Sequence, residues 1–313
     1  MTQINQSSRG DVSFASFPPA LFLIGAQKCA TTYFATCLAR HPQIAVAEPK
    51  EPDFFTRHQD RGLSWYRNCF PADEIGKVLL DASVSYSVAP SDERSAGPLV
   101  GVPERIHALR PDARIVYLVR DPVKRVHSAY WHAVMAGDES RPFMQAVLTN
   151  PWYLDASRYA WQLECYRRAF PDDAILVLRM DEMIADPLGT VDRVCRHIGL
   201  PQASGLEMPS NRVNASYRLR GAAHILPRGG ISRRGAQAIA NSARRLLPEP
   251  LYTRIKSMVT RDIPEMMPAD RDAIAALLQT DVARFTQRYG IAFPPAVAGA
   301  PTYGEPASLP AGV

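Results

Sequence analysis

The chain has 313 residues, 46% hydrophobic and 21% charged. Those proportions are near globular averages and exclude a peptide hormone, a disulfide knot and wholesale disorder. The formal charge of +5 is unevenly spread: between Arg212 and Lys256 ten basic residues stand against one acid, Glu249, so that segment carries +9 and the remainder −4. Such a stretch attracts phosphates, sulfated or acidic substrates, nucleic acid or anionic lipid, or it is a solvated helix face. No aromatic-interleaved basic motif singles out nucleic acid, so none is expected as a partner.

Residues 1–17 are polar and aperiodic, which predicts a loose tail without the apolar core of a secretory leader. Leu21–Ala26 then reads as a buried strand; at six residues it is about a third of what a membrane helix requires. A helical pattern follows over Ala30–Arg40, then strands at Val78–Leu80 and Arg114–Val119, a helix over Val123–Ala136 and another over Tyr159–Ala169. The last strand is Ala174–Leu178, followed by helices over Leu188–His197 and Asp270–Tyr289. These strands are near-continuous apolar runs without in-out alternation, as in a parallel sheet covered on both faces. The expected fold is therefore α/β, a P-loop-like parallel sheet flanked by helices, forming a single domain over residues 18–292 with a helical C-terminal part. A proline-rich second tail is expected over 293–313. Cys29, Cys37, Cys69, Cys165 and Cys195 form an odd, scattered set without a C-x-x-C pair, which suits a cytoplasmic location and argues against a zinc site or disulfide framework.

Two segments carry the chemistry. Gly25-Ala26-Gln27-Lys28-Cys29-Ala30-Thr31-Thr32 leaves a strand and enters a helix, where unpaired N–H groups and the positive helix end favour an anion. In the Walker A frame G-x-x-x-x-G-K-[ST], Ala30 stands where the second Gly belongs and Thr31 where the Lys belongs, the lysine arriving early as Lys28. This disfavours an ordinary triphosphatase loop but leaves a phosphate cradle of another type. Cys29, beside Lys28 at the helix start, is either an activated thiol or an inert loop residue. In the second segment, Arg120-Asp121-Pro122, Asp121 is an N-cap and Pro122 the first helical residue. Arg120 stands at the carboxyl end of a strand, and Ser128, about two helical turns on, shares a face with it, a fork for a second phosphate.

In these segments the chain resembles the sulfotransferases that use 3′-phosphoadenosine 5′-phosphosulfate. Lys28-Cys29-Ala30-Thr31-Thr32 is similar to their 5′-phosphosulfate loop, and Arg120 with Ser128, eight residues apart, to their 3′-phosphate motif. The resemblance extends through Lys50-Glu51-Pro52-Asp53-Phe54-Phe55, Gly62-Leu63-Ser64-Trp65-Tyr66, Leu80-Asp81-Ala82-Ser83-Val84-Ser85-Tyr86 and Leu176–Met183, covering about residues 20–292. The Lys-Glu-Pro run is most like the glycosaminoglycan N- and O-sulfotransferases and their bacterial relatives. Cys29 and Ala30 depart from the usual Gly or Ser, and Ala82 stands where the glycosaminoglycan enzymes carry a Lys.

The resemblance implies transfer of a sulfuryl group from that nucleotide donor to a hydroxyl, or an amine, of a carbohydrate or small-molecule acceptor. Lys28 with the loop groups would stabilise the leaving phosphate, and Glu51, stiffened between Pro49 and Pro52, would be the general base unless it merely pairs with Lys28 or Lys50. The scheme requires no metal, and His127 and His132, five apart, are off the usual two-His helical spacing. Arg218-Leu219-Arg220-Gly221 is the candidate for a loop closing over the nucleotide, and the basic 212–256 segment for membrane or polyanion contact through Ile231–Leu247. The rival readings are a P-loop kinase or nucleoside-triphosphate enzyme with Asp81 as magnesium ligand, and a non-enzymatic docking protein with a vestigial nucleotide site.

Overall fold

The computed structural model describes residues 17–72, 76–92, 97–203, 205–209 and 263–293, and the backbone of 218–219 and 260–261. Contacts divide the chain into two units, one of Met1–Tyr130, Arg141–Val213 and Pro268–Ala300, the other of Trp131–Ser140, Asn214–Met267 and Pro301–Val313. In the first lies a five-stranded sheet of β1 (Leu21–Gly25), β2 (Ile44–Val46), β3 (Val78–Asp81), β4 (Arg114–Val119) and β5 (Ile175–Arg179), all parallel, in the order β2-β3-β1-β4-β5. Burial explains why these runs form strands: every residue of β1 and β3, and Ile115 to Val119 of β4, is buried. The α/β expectation holds, and β2 is the strand that the sequence pattern misses.

Strand order reverses about β1: the chain first builds toward β3 and β2, then crosses to β4 and β5. The carboxyl ends of β1 and β4 therefore flank the switch point, the crevice where open α/β sheets bind ligands. The register of these two strands shifts between Leu23 and Gly25, an irregularity that turns the chain at the entry to the loop. Gly25 has φ +142, and a Cβ there would lie 2.2 Å from Ser87 Oγ, so only glycine fits.

Helices α1 (Thr31–Leu38), α2 (Gly62–Arg67), α3 (Val102–Leu109), α4 (Pro122–Ala136), α5 (Phe143–Thr149), α6 (Trp152–Asp155), α7 (Tyr159–Arg167), α8 (Met180–Ala185), α9 (Pro187–Ile198) and α10 (Pro268–Tyr289) complete the described elements, with short 3-10 turns at 59–61, 84–87 and 172–174. The helices expected over 30–40, 123–136, 159–169, 188–197 and 270–289 are all present, as α1, α4, α7, α9 and α10. Helix α9 illustrates the local logic: Asp186 caps Gly189 N at 2.9 Å, Pro187 starts the helix, and Thr190, Val191, Val194, Cys195 and Ile198 form its buried stripe. Gly199 at φ +75 ends it, with Leu200 N bonded back to Cys195 O.

Phe17 and Phe293 stand at the inner edges of the expected tails. Phe17 packs on Tyr66 with ring centroids 5.4 Å apart, and Phe293 on Phe285 at 5.7 Å, because each ring covers an aromatic face of the core. The rest of both tails lies outside the described residues, as does nearly all of the basic 212–256 segment, including Ile231–Leu247. Of the candidate closing loop only the backbone of Arg218–Leu219 is described, paired antiparallel with Thr260–Arg261 in the second unit as strands β6 and β7. Among the described residues no helix is long and apolar enough to cross a membrane.

Candidate active site

The loop after β1 is held in an unusual backbone conformation. Lys28 and Ala30 both have left-handed φ, +71 and +57, a conformation that costs an L residue about 1–2 kcal/mol. Ala30 is the N-cap of α1 and offers no side-chain cap, so the first helical N–H groups are left for another partner. The departure from Gly or Ser at position 30 thus falls where the chain turns left-handed. Thr31 is buried and Thr32 exposed at the helix start. Tyr33 donates its hydroxyl to Pro209 O at 3.1 Å, and Gln27 Oε1 accepts from Trp152 Nε1 at 3.4 Å, tying both ends of the loop to the surrounding chain.

Arg120 reaches this loop directly. Its Nη1 donates to the Lys28 carbonyl at 3.2 Å, so the two anion motifs read separately along the chain meet at the switch point. Asp121 Oδ1 accepts from Lys124 N at 2.8 Å and Pro122 opens the helix, as expected of an N-cap and N1 pair. Ser128 lies half-buried on the same helix. Among the described residues neither Lys28 nor Arg120 forms an ion pair. Burial, aided by the Arg120 charge, lowers the Lys28 pKa from its ordinary 10.5. Burial also pushes the Cys29 thiol up to about 11 despite the pull of Arg120 and Arg125. Of the two readings of Cys29 the inert residue prevails, because a sealed thiol stays protonated.

The end of β3 is built oppositely. Asp81 is fully buried; its Oδ1 accepts from Ser83 Oγ at 2.6 Å and its Oδ2 from the hydroxyls of Tyr66 at 2.6 Å and Tyr86 at 2.9 Å. Burial raises its pKa to about 6, with the three hydroxyls pulling the other way. Both oxygens are engaged and turned inward, which counts against the magnesium-ligand role that a nucleoside-triphosphate enzyme would give it.

From Asp81 the network runs to the segment carrying Glu51. Asp53 N donates to Ser83 Oγ at 3.0 Å, Ser85 Oγ to Asp53 Oδ1 at 2.6 Å, and Phe55 N to the Tyr86 hydroxyl at 3.3 Å. Phe54, Phe55 and Tyr66 are core residues, Phe54 stacking on Tyr66 at 4.3 Å, whereas Trp65 is half-buried with the Arg61 guanidinium 4.8 Å above its ring. Glu51 projects outward and pairs with Lys50 at 2.5 Å; among the described residues no ion pair links it to Lys28. An open groove of about 390 Å³, lined by Phe54, Phe55, Gln59, Leu63 and Arg105 among others, flanks the segment after Glu51 and includes none of Lys28, Arg120 or Glu51.

A family model described as the Sulfotransferase family matches residues 100–204, the stretch from α3 through β4, α4 and α9. That match covers about a third of the chain. It is 32% identical over 193 residues to the human heparan sulfate glucosamine 3-O-sulfotransferase 6, an alignment covering 59% of this chain and 53% of that protein. It is 29% identical over 204 residues to the bifunctional heparan sulfate N-deacetylase/N-sulfotransferase of Drosophila melanogaster, covering 58% and 19%. The chain thus spans about half the length of the 3-O-sulfotransferases it matches, and less of the bifunctional protein. In fold it is similar to the sulfotransferase of Alicyclobacillus acidocaldarius, with a TM-score of 0.58 and 21% identity over 87% of this chain and 96% of that one.

Sequence reasoning did not single out Arg125, Gln27 or Trp152. Arg125 falls in the amphipathic pattern of α4 at a position that periodicity alone makes a buried one, and its charge there was the available signal.

Proposed function

We propose that the protein transfers a sulfuryl group from 3′-phosphoadenosine 5′-phosphosulfate to a hydroxyl of a carbohydrate acceptor, an amine being the lesser alternative. The Arg120 to Lys28 contact carries this reading: two cationic motifs from neighbouring strand ends converge on one loop, as a donor with phosphates at both ends requires. Lys28 and the first N–H groups of α1 would hold the 5′-phosphosulfate, with Cys29, Ala30, Thr31 and Thr32 forming the cradle, and Arg120 with Ser128 the 3′-phosphate. Lys28 would also stabilise charge growing on the leaving phosphate during in-line displacement. Glu51 is the proposed base, held out on a segment stiffened by Pro49 and Pro52 and anchored through Asp53. The carbohydrate class rests on the named activities of the relatives and on the Lys50-Glu51-Pro52 run.

The test is calorimetric titration with 3′-phosphoadenosine 5′-phosphate in the absence of magnesium, followed by transfer of labelled sulfate from the donor to a panel of amino-sugar oligosaccharides. Metal-independent binding and label in the sugar are expected. Binding of ATP only with magnesium, and none of the bisphosphate, would overturn the reading in favour of a nucleoside-triphosphate enzyme.

A further inference from the structure

One cation near the loop is sealed from water. Arg125, on α4 five residues beyond Arg120, has no exposed surface. Its Nε donates to Ser157 Oγ and its Nη2 to Tyr153 O, while Nη1 has no partner. Ser157 is itself fixed, donating to Pro122 O at 3.1 Å. Among the described residues no carboxylate pairs with Arg125. The groups that bear on its charge most are Tyr159, Cys29, Tyr117 and Arg120, three uncharged and one cationic. Tyr117 and Tyr159 are fully buried, their hydroxyls making no hydrogen bond of ordinary geometry, and burial holds both phenols well above their usual pKa.

A guanidinium enclosed without a countercharge costs several kcal/mol. The field of Arg125 extends to the loop above: it adds to the lowering of the Lys28 pKa and opposes the rise at Cys29.

We propose that Arg125 is a positioning residue of the anion site, a buried cation acting through the α1 loop without touching the ligand, whose countercharge is the phosphate of the bound nucleotide. The assignment rests on the donor-binding reading above. It extends the site to a third, interior cation and predicts that the site selects for ligand charge more strongly than the two half-buried cations alone would.

The test compares 3′-phosphoadenosine 5′-phosphate affinity in wild type, Arg125→Gln and Arg125→Lys, with circular dichroism melts to establish folding. Gln keeps a donor at the position of Nε, toward Ser157, but removes the charge and the fork; Lys keeps the charge and loses the fork. Expected are a dissociation constant raised roughly tenfold to a hundredfold by Gln and one within about threefold of wild type for Lys. Arg125→Met is the second charge-removing variant and is read in the same way. A purely structural arginine would leave affinity unchanged in the folded variants or weaken Gln and Lys alike, and either result overturns the assignment. Failure of the wild type to bind the bisphosphate would overturn the donor reading and this assignment with it; tight binding by both wild type and Arg125→Gln would overturn the assignment alone.

Discussion

The carboxyl ends of β1 and β3, neighbours in one sheet, finish in opposite ways. At β1 the chain turns through two left-handed residues and leaves Lys28 and Arg120 without an acidic partner among the described residues. At β3 the strand ends on Asp81, whose oxygens are filled by three hydroxyls and which no solvent reaches. One end retains unmet charge and backbone strain; the other satisfies itself and gains rigidity. Sites and supports can therefore be told apart by asking which polar groups the fold leaves without partners.

The sharpest separation concerns the residue that the closed end holds out. Glu51→Gln is expected to lower turnover about 10²- to 10⁴-fold while leaving bisphosphate affinity within error, measured by labelled-sulfate transfer and calorimetry. Full turnover would remove Glu51 from the chemistry. At the open end, Lys28→Ala and Arg120→Ala should each weaken bisphosphate binding roughly tenfold to a hundredfold with little change in denaturation midpoint; the reverse pattern would make them structural residues.

Asp81→Ala should do the opposite. It leaves the hydroxyls of Tyr66, Tyr86 and Ser83 without their acceptor and is expected to lower stability by about 2–4 kcal/mol in a urea titration, with bisphosphate affinity unchanged in the folded fraction.

A pH series sharpens the same contrast. Burial raises Asp81 from 3.8 to about 6, so its contribution to stability is full below 3.8 and is lost as pH climbs through 6. His197 runs the other way: burial, with the Arg114 charge, lowers it from 6.5 to about 4, so its contribution is present above 6.5 and is lost as pH falls through 4. The two oppose one another between pH 4 and about 6. In Asp81→Asn the His197 slope should stand alone, seen as a melting temperature that falls on acidification through this window more steeply than in wild type. The smallest effect is expected at the loop itself: Ala30→Gly relieves a left-handed alanine and should shift stability by no more than about 1 kcal/mol, the added freedom of the unfolded glycine offsetting part of the relief.

Much of the fold was legible because its signals are local and redundant. Uninterrupted apolar runs marked β1, β3, β4 and β5, and the Asp121-Pro122 pair marked the start of α4 to the residue. Strand β2, three residues long, is too short for any periodicity, and α2, α5, α6 and α8, each seven residues or fewer, are set by packing as much as by pattern. The candidate site was legible as two motifs, Lys28–Thr32 and Arg120 with Ser128. Their meeting was not, since 92 residues separate the partners of that hydrogen bond.

The sequence alone determined which segments could hold anions, because an N-cap, a proline at N1 and a lysine in a strand-to-helix turn act through their immediate neighbours. Only the tertiary structure decided which charges remain available. Whether Asp81 is saturated, Cys29 inert or Arg125 without a countercharge depends on groups brought together by the sheet order and the packing of helices upon it, and desolvation, which sets their charge, has no existence before those groups are buried together.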